Sequence, residues 1–193
     1  MAKRYGIVID LERCLGCHTC TVACKLENGI EPGSWIEVGT VGGDGMDTAG
    51  GSFPNLSMSY LPKACMHCGE APCIDACPPA AIRRRDDGIV IIDNDECDGC
   101  RICLDACPYE VLHFDEAGNV AAKCSLCSHR VDEGLEPYCV ICCEGQALHF
   151  GDLADPASAV SRLAAGDSYV LLPEAGTDPA TRYLPAMAPR GLP

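Results

Sequence analysis

The 193-residue sequence predicts an α+β fold made of two nested βαββαβ units. Three observations carry that expectation. Every cysteine except Cys142 falls into one of four tight quartets. The surroundings of these quartets repeat along the chain. Strand-sized apolar runs, separated by turn residues, follow the repeats.

The quartets are Cys14, Cys17, Cys20 and Cys24; Cys65, Cys68, Cys73 and Cys77; Cys97, Cys100, Cys103 and Cys107; and Cys124, Cys127, Cys139 and Cys143. Ile9-Asp10 precedes Cys14-Leu15-Gly16-Cys17 as Ile92-Asp93 precedes Cys97-Asp98-Gly99-Cys100, and Ala23 matches Ala106. Leu112-His113-Phe114 follows Cys107 at the offset of Leu148-His149-Phe150 after Cys143, and Ile82 occupies the equivalent place after Cys77. Each run is therefore expected to lead into a short helix and then a strand. Residues 81–85 and 89–93 flank Asp87-Gly88, a hairpin signal. Residues 111–114 and 120–123 flank a second turn at 116–119.

An inner unit, 62–114, is contiguous; an outer unit joins 1–30 to 120–151, on the assignment of the first quartet to the fourth. Residues 31–61, rich in Gly and Ser and carrying Trp35, read as a long ordered insertion or interface loop. Residues 152–193 read as an extension with a short helix at 156–165 and a Pro-rich tail, draped on the body or on a partner.

The chemistry follows from the spacing. The first and third quartets read C-x2-C-x2-C-x3-C, the run in which three thiolates surround one cubane and the fourth reaches a neighbouring cluster. Such a loop points its sulfurs inward and its N–H groups at the inorganic sulfides. The fourth cysteine is expected to start a helix that heads away, with Pro78 and Pro108 ending the loop and opening that helix. Sixteen thiolates at four per cluster correspond to four [4Fe–4S] centres, and so to electron transfer. Spacing alone leaves the ligand sets open. The crossed wiring of two-cluster ferredoxins gives one definite arrangement, and makes both units ferredoxin-like. In it, Cys14, Cys17, Cys20 and Cys143 form one set, and Cys24, Cys124, Cys127 and Cys139 a second. Cys65, Cys68, Cys73 and Cys107 form the third, and Cys77, Cys97, Cys100 and Cys103 the fourth.

Other uses of cysteine fit less well. A disulfide scaffold suits a small secreted chain, whereas this one shows no secretory signal and does not need such staples for its size. Structural zinc favours two pairs across a longer loop. The formal charge of −14 excludes nucleic acid as a partner, because phosphate binding needs a basic face. The one basic run, Arg83-Arg84-Arg85, is followed by Asp86-Asp87 and reads as a solvated hairpin tip. Aliphatic runs such as Ile89–Ile92 are too short to cross a bilayer. The amino terminus leaves no room for a signal h-region, which by itself predicts a cytoplasmic chain. Aromatic residues make up only 5%, so the conventional core is thin and folding is expected to depend on the clusters. No nucleophile array, phosphate loop or nicotinamide fingerprint occurs, so no substrate chemistry is expected of this chain. Lys63 and Lys123 each precede a cluster loop, either as cations that raise a cluster's potential or as solvated lysines. His67 is placed to donate to a sulfide. Cys142 reads as a buried small hydrophobe and Cys143 as the ligand, from the x3 gap after Cys139.

The order of the quartets, the x4 gap between Cys68 and Cys73 and the x11 gap between Cys127 and Cys139 resemble the four-cluster electron-transfer subunits of the dimethyl-sulfoxide-reductase family. So do Cys65-Met66-His67-Cys68 with Ala71-Pro72-Cys73, Cys107-Pro108-Tyr109, Cys124-Ser125-Leu126-Cys127 with His129-Arg130, Gly151 to Pro156, and Gly176-Thr177 with Tyr183-Leu184. The sequence is most similar to the short subunits of arsenate reductase, polysulfide reductase and pyrogallol–phloroglucinol transhydroxylase. The resemblance implies a large catalytic partner with a molybdenum or tungsten bis-pterin centre, in a heterodimer whose first cluster, on Cys14, Cys17, Cys20 and Cys143, lies nearest that centre. It also implies a membrane anchor subunit or soluble carrier as the other electron partner. Family members that carry a [3Fe–4S] centre replace one ligand by Trp; here each ligand position is Cys. Glu144 follows Cys143 where the family usually has proline, and Lys25 likewise follows Cys24. Related subunits are exported folded, on a partner with a twin-arginine signal, which favours an extracytoplasmic location over the cytoplasmic one. The competing functions are a subunit of a hydrogenase or formate-oxidising complex, a free polyferredoxin, and a zinc-stapled interaction protein.

Overall fold

The computed structural model describes residues 2–42 and 45–186. Its fold is α+β, with short helices and small sheets. The largest sheet has three strands, centred on β1 (Tyr5–Asp10). Six residues, Tyr-Gly-Ile-Val-Ile-Asp, suit a central strand covered on both faces, and Ile7, Val8 and Ile9 are buried there. The strand at Leu148–Asp152 lies antiparallel to β1, from Tyr5 opposite Asp152 to Ile9 opposite Leu148. Segments from near the two ends of the chain thereby meet. On the other edge, Thr181–Leu184 runs parallel to β1, from Ile7 opposite Thr181 to Asp10 opposite Leu184.

This last strand lays the tail on the body, the first of the two places expected of it. Tyr183 is fully buried, and its hydroxyl donates to the Pro62 carbonyl at 3.0 Å. The tail is part of the core as far as Leu184; 187–193, the rest of that expected tail, lie outside the described residues. The short helix expected at 156–165 is Ala159–Ala164, capped by Ser158, whose Oγ accepts from the Ser161 N–H at 3.0 Å.

Two hairpins carry the quartets' neighbourhoods. Ile82–Arg84 pairs with Val90–Ile92 around Asp87-Gly88, and His113–Asp115 pairs with Val120–Ala122. Residues 31–61 form ladders rather than an irregular loop. Ile36–Val41 pairs antiparallel with Ser59–Ala64, and Gly50–Ser52 with Asn55–Ser57. The second strand of the first pair delivers the chain to Cys65. The basic run lies on a hairpin with Arg83 and Arg84 exposed, as expected, and each arginine also has a partner within the fold. Arg83 pairs with Asp93, Arg85 with Asp87 and Asp132, and Arg84 donates to the Cys68 and Gly69 carbonyls.

The helices begin earlier than expected. Those at Thr19–Asn28, Pro72–Asp75, Ile102–Ala106 and Tyr138–Ile141 each contain their quartet's third cysteine. In the last three, the fourth cysteine follows the helix instead of opening one. Proline supplies the reason at Cys107: Pro108 disfavours helical geometry in the residue before it, and Cys107 is extended, with φ −84° and ψ 113°. Three residues past each of these fourth cysteines the backbone turns through a positive φ, at Ala80, Glu110 and Gln146. Each turn is closed by an N–H bond to the cysteine carbonyl, at 3.1, 3.2 and 2.9 Å respectively. The next strand then begins. Cys143 thus occupies the backbone position that Cys77 and Cys107 occupy.

Candidate functional site

The four cysteine loops share one backbone device. The residue before the second cysteine has a positive φ in each: Gly16 at 65°, His67 at 44°, Gly99 at 72° and Leu126 at 53°. Glycine takes this conformation freely, whereas His67 and Leu126 hold it at a cost that their burial helps to offset. The turn lets backbone N–H groups face sulfur. His67 N donates to Cys65 Sγ at 3.5 Å and Leu126 N to Cys124 Sγ at 3.4 Å. Ala147 N donates to Cys143 Sγ at 3.2 Å.

Long-range folding gathers cysteines from different quartets. Cys24, Cys124, Cys127 and Cys139 line one apolar cavity, together with Trp35 and Pro137. Cys65, Cys68, Cys73 and Cys107 line a second, with Val90 and Tyr109. Cys14, Cys17 and Cys143 lie near enough to Cys20 for their negative charge to disfavour its ionisation. Cys77, Cys97 and Cys100 stand in the same relation to Cys103. The cavity-lining cysteines are buried apart from the half-buried Cys124, whereas Cys17 and Cys100 are exposed. Helices join the gatherings. Thr19–Asn28 carries both Cys20 and Cys24, and Ile102–Ala106 carries Cys103 and ends at Cys107.

Burial disfavours ionisation of several of these thiols. It pushes Cys20, Cys68 and Cys103 up to about 11 and Cys73 up to about 12, and holds Cys124 and Cys139 well above the usual range. Neighbouring thiolates add to the shift. Four sulfurs gathered around an apolar cavity ionise together only opposite compensating positive charge, which iron supplies. The donor set, the cavities and the N–H groups facing sulfur all fit an iron–sulfur cube. Among the described residues, no group of three His, Cys, Asp or Glu side chains converges on a single ion. A cube is wider than an ion, so its ligands surround a cavity rather than a point.

Several residues at these centres lie outside the cysteine quartets. Asn28 Nδ2 reaches Cys24 Sγ at 3.7 Å and Cys127 Sγ at 3.9 Å; its i+4 spacing from Cys24 on one helix is the signal that could have found it. Thr177, from the tail, is buried with its hydroxyl 2.5 Å from that of Tyr109 and beside the Cys68 sulfur. Nothing local announces that contact. Lys123 is not a solvated lysine: it is 4% exposed, while Lys63 is half-buried on its strand opposite Glu37. Cys142, expected to be buried, is half-buried and lines neither cavity.

The fold and these loops define a protein with [4Fe–4S] binding domains. Residues 56–153 match the family model described as a 4Fe-4S dicluster domain, and residues 5–26 match a 4Fe-4S binding domain. The chain is 47% identical over 205 residues to a Halobacterium salinarum protein provisionally named as a dimethyl sulfoxide reductase iron–sulfur subunit, covering 93% of this chain and 78% of that one. It is 34% identical to the arsenate respiratory reductase iron–sulfur subunit of Shewanella sp. strain ANA-3 (94% and 96% covered). It is 35% identical to one of the polysulfide reductase chains of Wolinella succinogenes (96% of both). The protein thus belongs to the family of iron–sulfur electron-transfer subunits of the dimethyl-sulfoxide-reductase type. Subunits of this kind relay electrons for a catalytic partner.

Proposed function

We propose that the chain holds four [4Fe–4S] clusters in a row and conducts electrons to or from a molybdenum or tungsten bis-pterin subunit. The ligand sets are those of the crossed wiring: Cys14, Cys17, Cys20 and Cys143; Cys24, Cys124, Cys127 and Cys139; Cys65, Cys68, Cys73 and Cys107; Cys77, Cys97, Cys100 and Cys103. What carries this reading is the pattern of burial, with two gatherings enclosed and two that each expose one cysteine, Cys17 and Cys100. A conduit needs that arrangement, since electrons enter and leave at its ends while the middle is insulated from water.

Bound clusters would accept and release single electrons at fixed sites. The polypeptide's part is to space them, exclude water and bias their potentials. The outer and inner ferredoxin-like units are proposed to nest through residues 1–30 and 120–151 around 62–114. The pairing of Tyr5–Asp10 with Leu148–Asp152 supports this. Leu15, Val22, Leu26 and Ile141, on segments that carry cysteines of the first two sets, are exposed apolar side chains suited to a catalytic partner. On this reading the Cys14, Cys17, Cys20 and Cys143 set lies nearest the pterin, and the Cys100 end faces a membrane anchor subunit or soluble carrier. Among the described residues no helix is long and apolar enough to cross a membrane. Export bound to a twin-arginine partner is the proposed location, which fractionation of native cells can test.

The decisive measurement is iron and sulfide content of the anaerobically purified native complex. About sixteen irons per chain are expected at four per cluster, with a bis-pterin subunit in equal amount. A monomeric chain in native extract would favour a free polyferredoxin, and stoichiometric zinc without visible charge-transfer absorption would end the electron-transfer reading.

A further inference from the structure

Lys123 occupies the one junction in the proposed row that no helix spans. The first and second cysteine sets share the helix Thr19–Asn28, and the third and fourth share Ile102–Ala106 with its terminal Cys107. Between the second and third, Cys124 approaches Cys65, close enough for the charge of one to disfavour ionisation of the other. Lys123 lies beside this approach. Its Nζ donates to the Val90 carbonyl, and to the Cys124 carbonyl at 3.1 Å. Val90 lines the cavity of Cys65, Cys68, Cys73 and Cys107, and Cys124 lines the other. One ammonium is thus anchored to a wall residue of each cavity.

Nothing acidic compensates it. Among the described residues no carboxylate lies within ion-pair distance of Lys123, although the lysine is almost wholly buried. A buried cation without an anion is strongly disfavoured. The groups able to supply negative charge here are the sulfurs on either side.

His67 cannot supply the same positive charge. Its Nδ1 accepts from the Val90 N–H at 3.0 Å, so its proton sits on Nε2, and burial keeps the ring neutral. Both backbone polar groups of Val90 are therefore held, its N–H by neutral His67 and its carbonyl by Lys123. Arg84 also reaches this region, through the Cys68 carbonyl, but its side chain is exposed and water screens it.

We propose that Lys123 is a positioning residue for electron transfer: one fixed positive charge, shared by the two interior clusters, that raises the reduction potential of both and keeps the unspanned junction conducting. This rests on the four-cluster reading. A positive charge between two anionic clusters favours the added electron on either, so no step is made uphill at the junction at the expense of its neighbour.

The test uses the intact complex carrying Lys123→Met, Lys123→Gln or Lys123→Arg, with redox titration followed by EPR and iron analysis. Cys73→Ser and Cys124→Ser assign the two interior signals. The neutral variants should retain wild-type iron and bind the electron at least tenfold less tightly at both interior clusters, a fall of about 59 mV for a one-electron couple. The two end clusters should stay unchanged, and Lys123→Arg should keep all four potentials near wild type. A shift at one interior cluster or at neither would overturn the proposal, as would an equal shift in the Arg variant. Loss of iron from both neutral variants would also overturn it, because Lys123 would then be a structural support. Failure of the underlying reading is separate: the wild-type complex itself would then lack four clusters.

Discussion

Removing the Tyr183 hydroxyl should loosen the whole protein, although Tyr183 lies far from the cysteine quartets in sequence. The side chain is completely buried, and its hydroxyl donates to the Pro62 carbonyl at 3.0 Å. Its backbone pairs with Ile9 on one side and Tyr169 on the other, and its ring meets Tyr169 with centroids 5.8 Å apart. Tyr183→Phe leaves a buried carbonyl without its donor, at a cost of about 1–3 kcal/mol. Tyr183→Ala also opens a cavity between the central sheet and the strand that feeds Cys65, at a cost of about 3–5 kcal/mol. At this size each kcal/mol is worth about 2–4 °C in the unfolding midpoint. The assay is loss of cluster absorption from the intact complex during heating at a fixed rate. Phe should bleach several degrees below wild type, and Ala well below Phe, with iron content in unheated samples unchanged. Midpoints for both variants within a degree of wild type would refute the reasoning. The tail would then be a covering, not a part of the core.

Two further outcomes follow from the loops. Cys143→Ala should lose one cluster, seen as about four irons fewer per chain and one missing EPR signal, while Cys142→Ala keeps the full complement; the reverse pattern would exchange the two roles. Gly99→Ala should destabilise by more than the roughly 1 kcal/mol that a positive φ alone costs a residue with Cβ. The added carbon would sit 2.6 Å from the Asn119 carbonyl oxygen. Gly176→Ala, with φ +63° and open space around it, provides the conformational cost by itself, so equal losses in the two variants would show that the Asn119 contact yields.

What the sequence determined by itself was local. The hairpin around Asp87-Gly88, the equivalence of Ile82, Leu112 and Leu148, and the cysteine loops with Gly16 and Gly99 all depend on contacts within a few residues. Turn chemistry and strand alternation encode such contacts directly. Even there the helices were misplaced, because spacing marks which cysteines share a loop but not whether a helix opens before or after the fourth. The extended backbone that Pro108 imposes on Cys107 was the overlooked signal. Tertiary structure alone decided that Thr181–Leu184 lies parallel beside Tyr5–Asp10, and that Thr177 reaches Cys68 from the far end of the chain. It alone decided that Lys123 is buried between two cavities while Lys63 is not. Each of these rests on segments tens of residues apart, brought together by shared burial of apolar surface. Burial has no signature in one lysine's neighbours, since Ala-Lys-Cys at 122–124 reads the same whether the side chain meets water or a cluster.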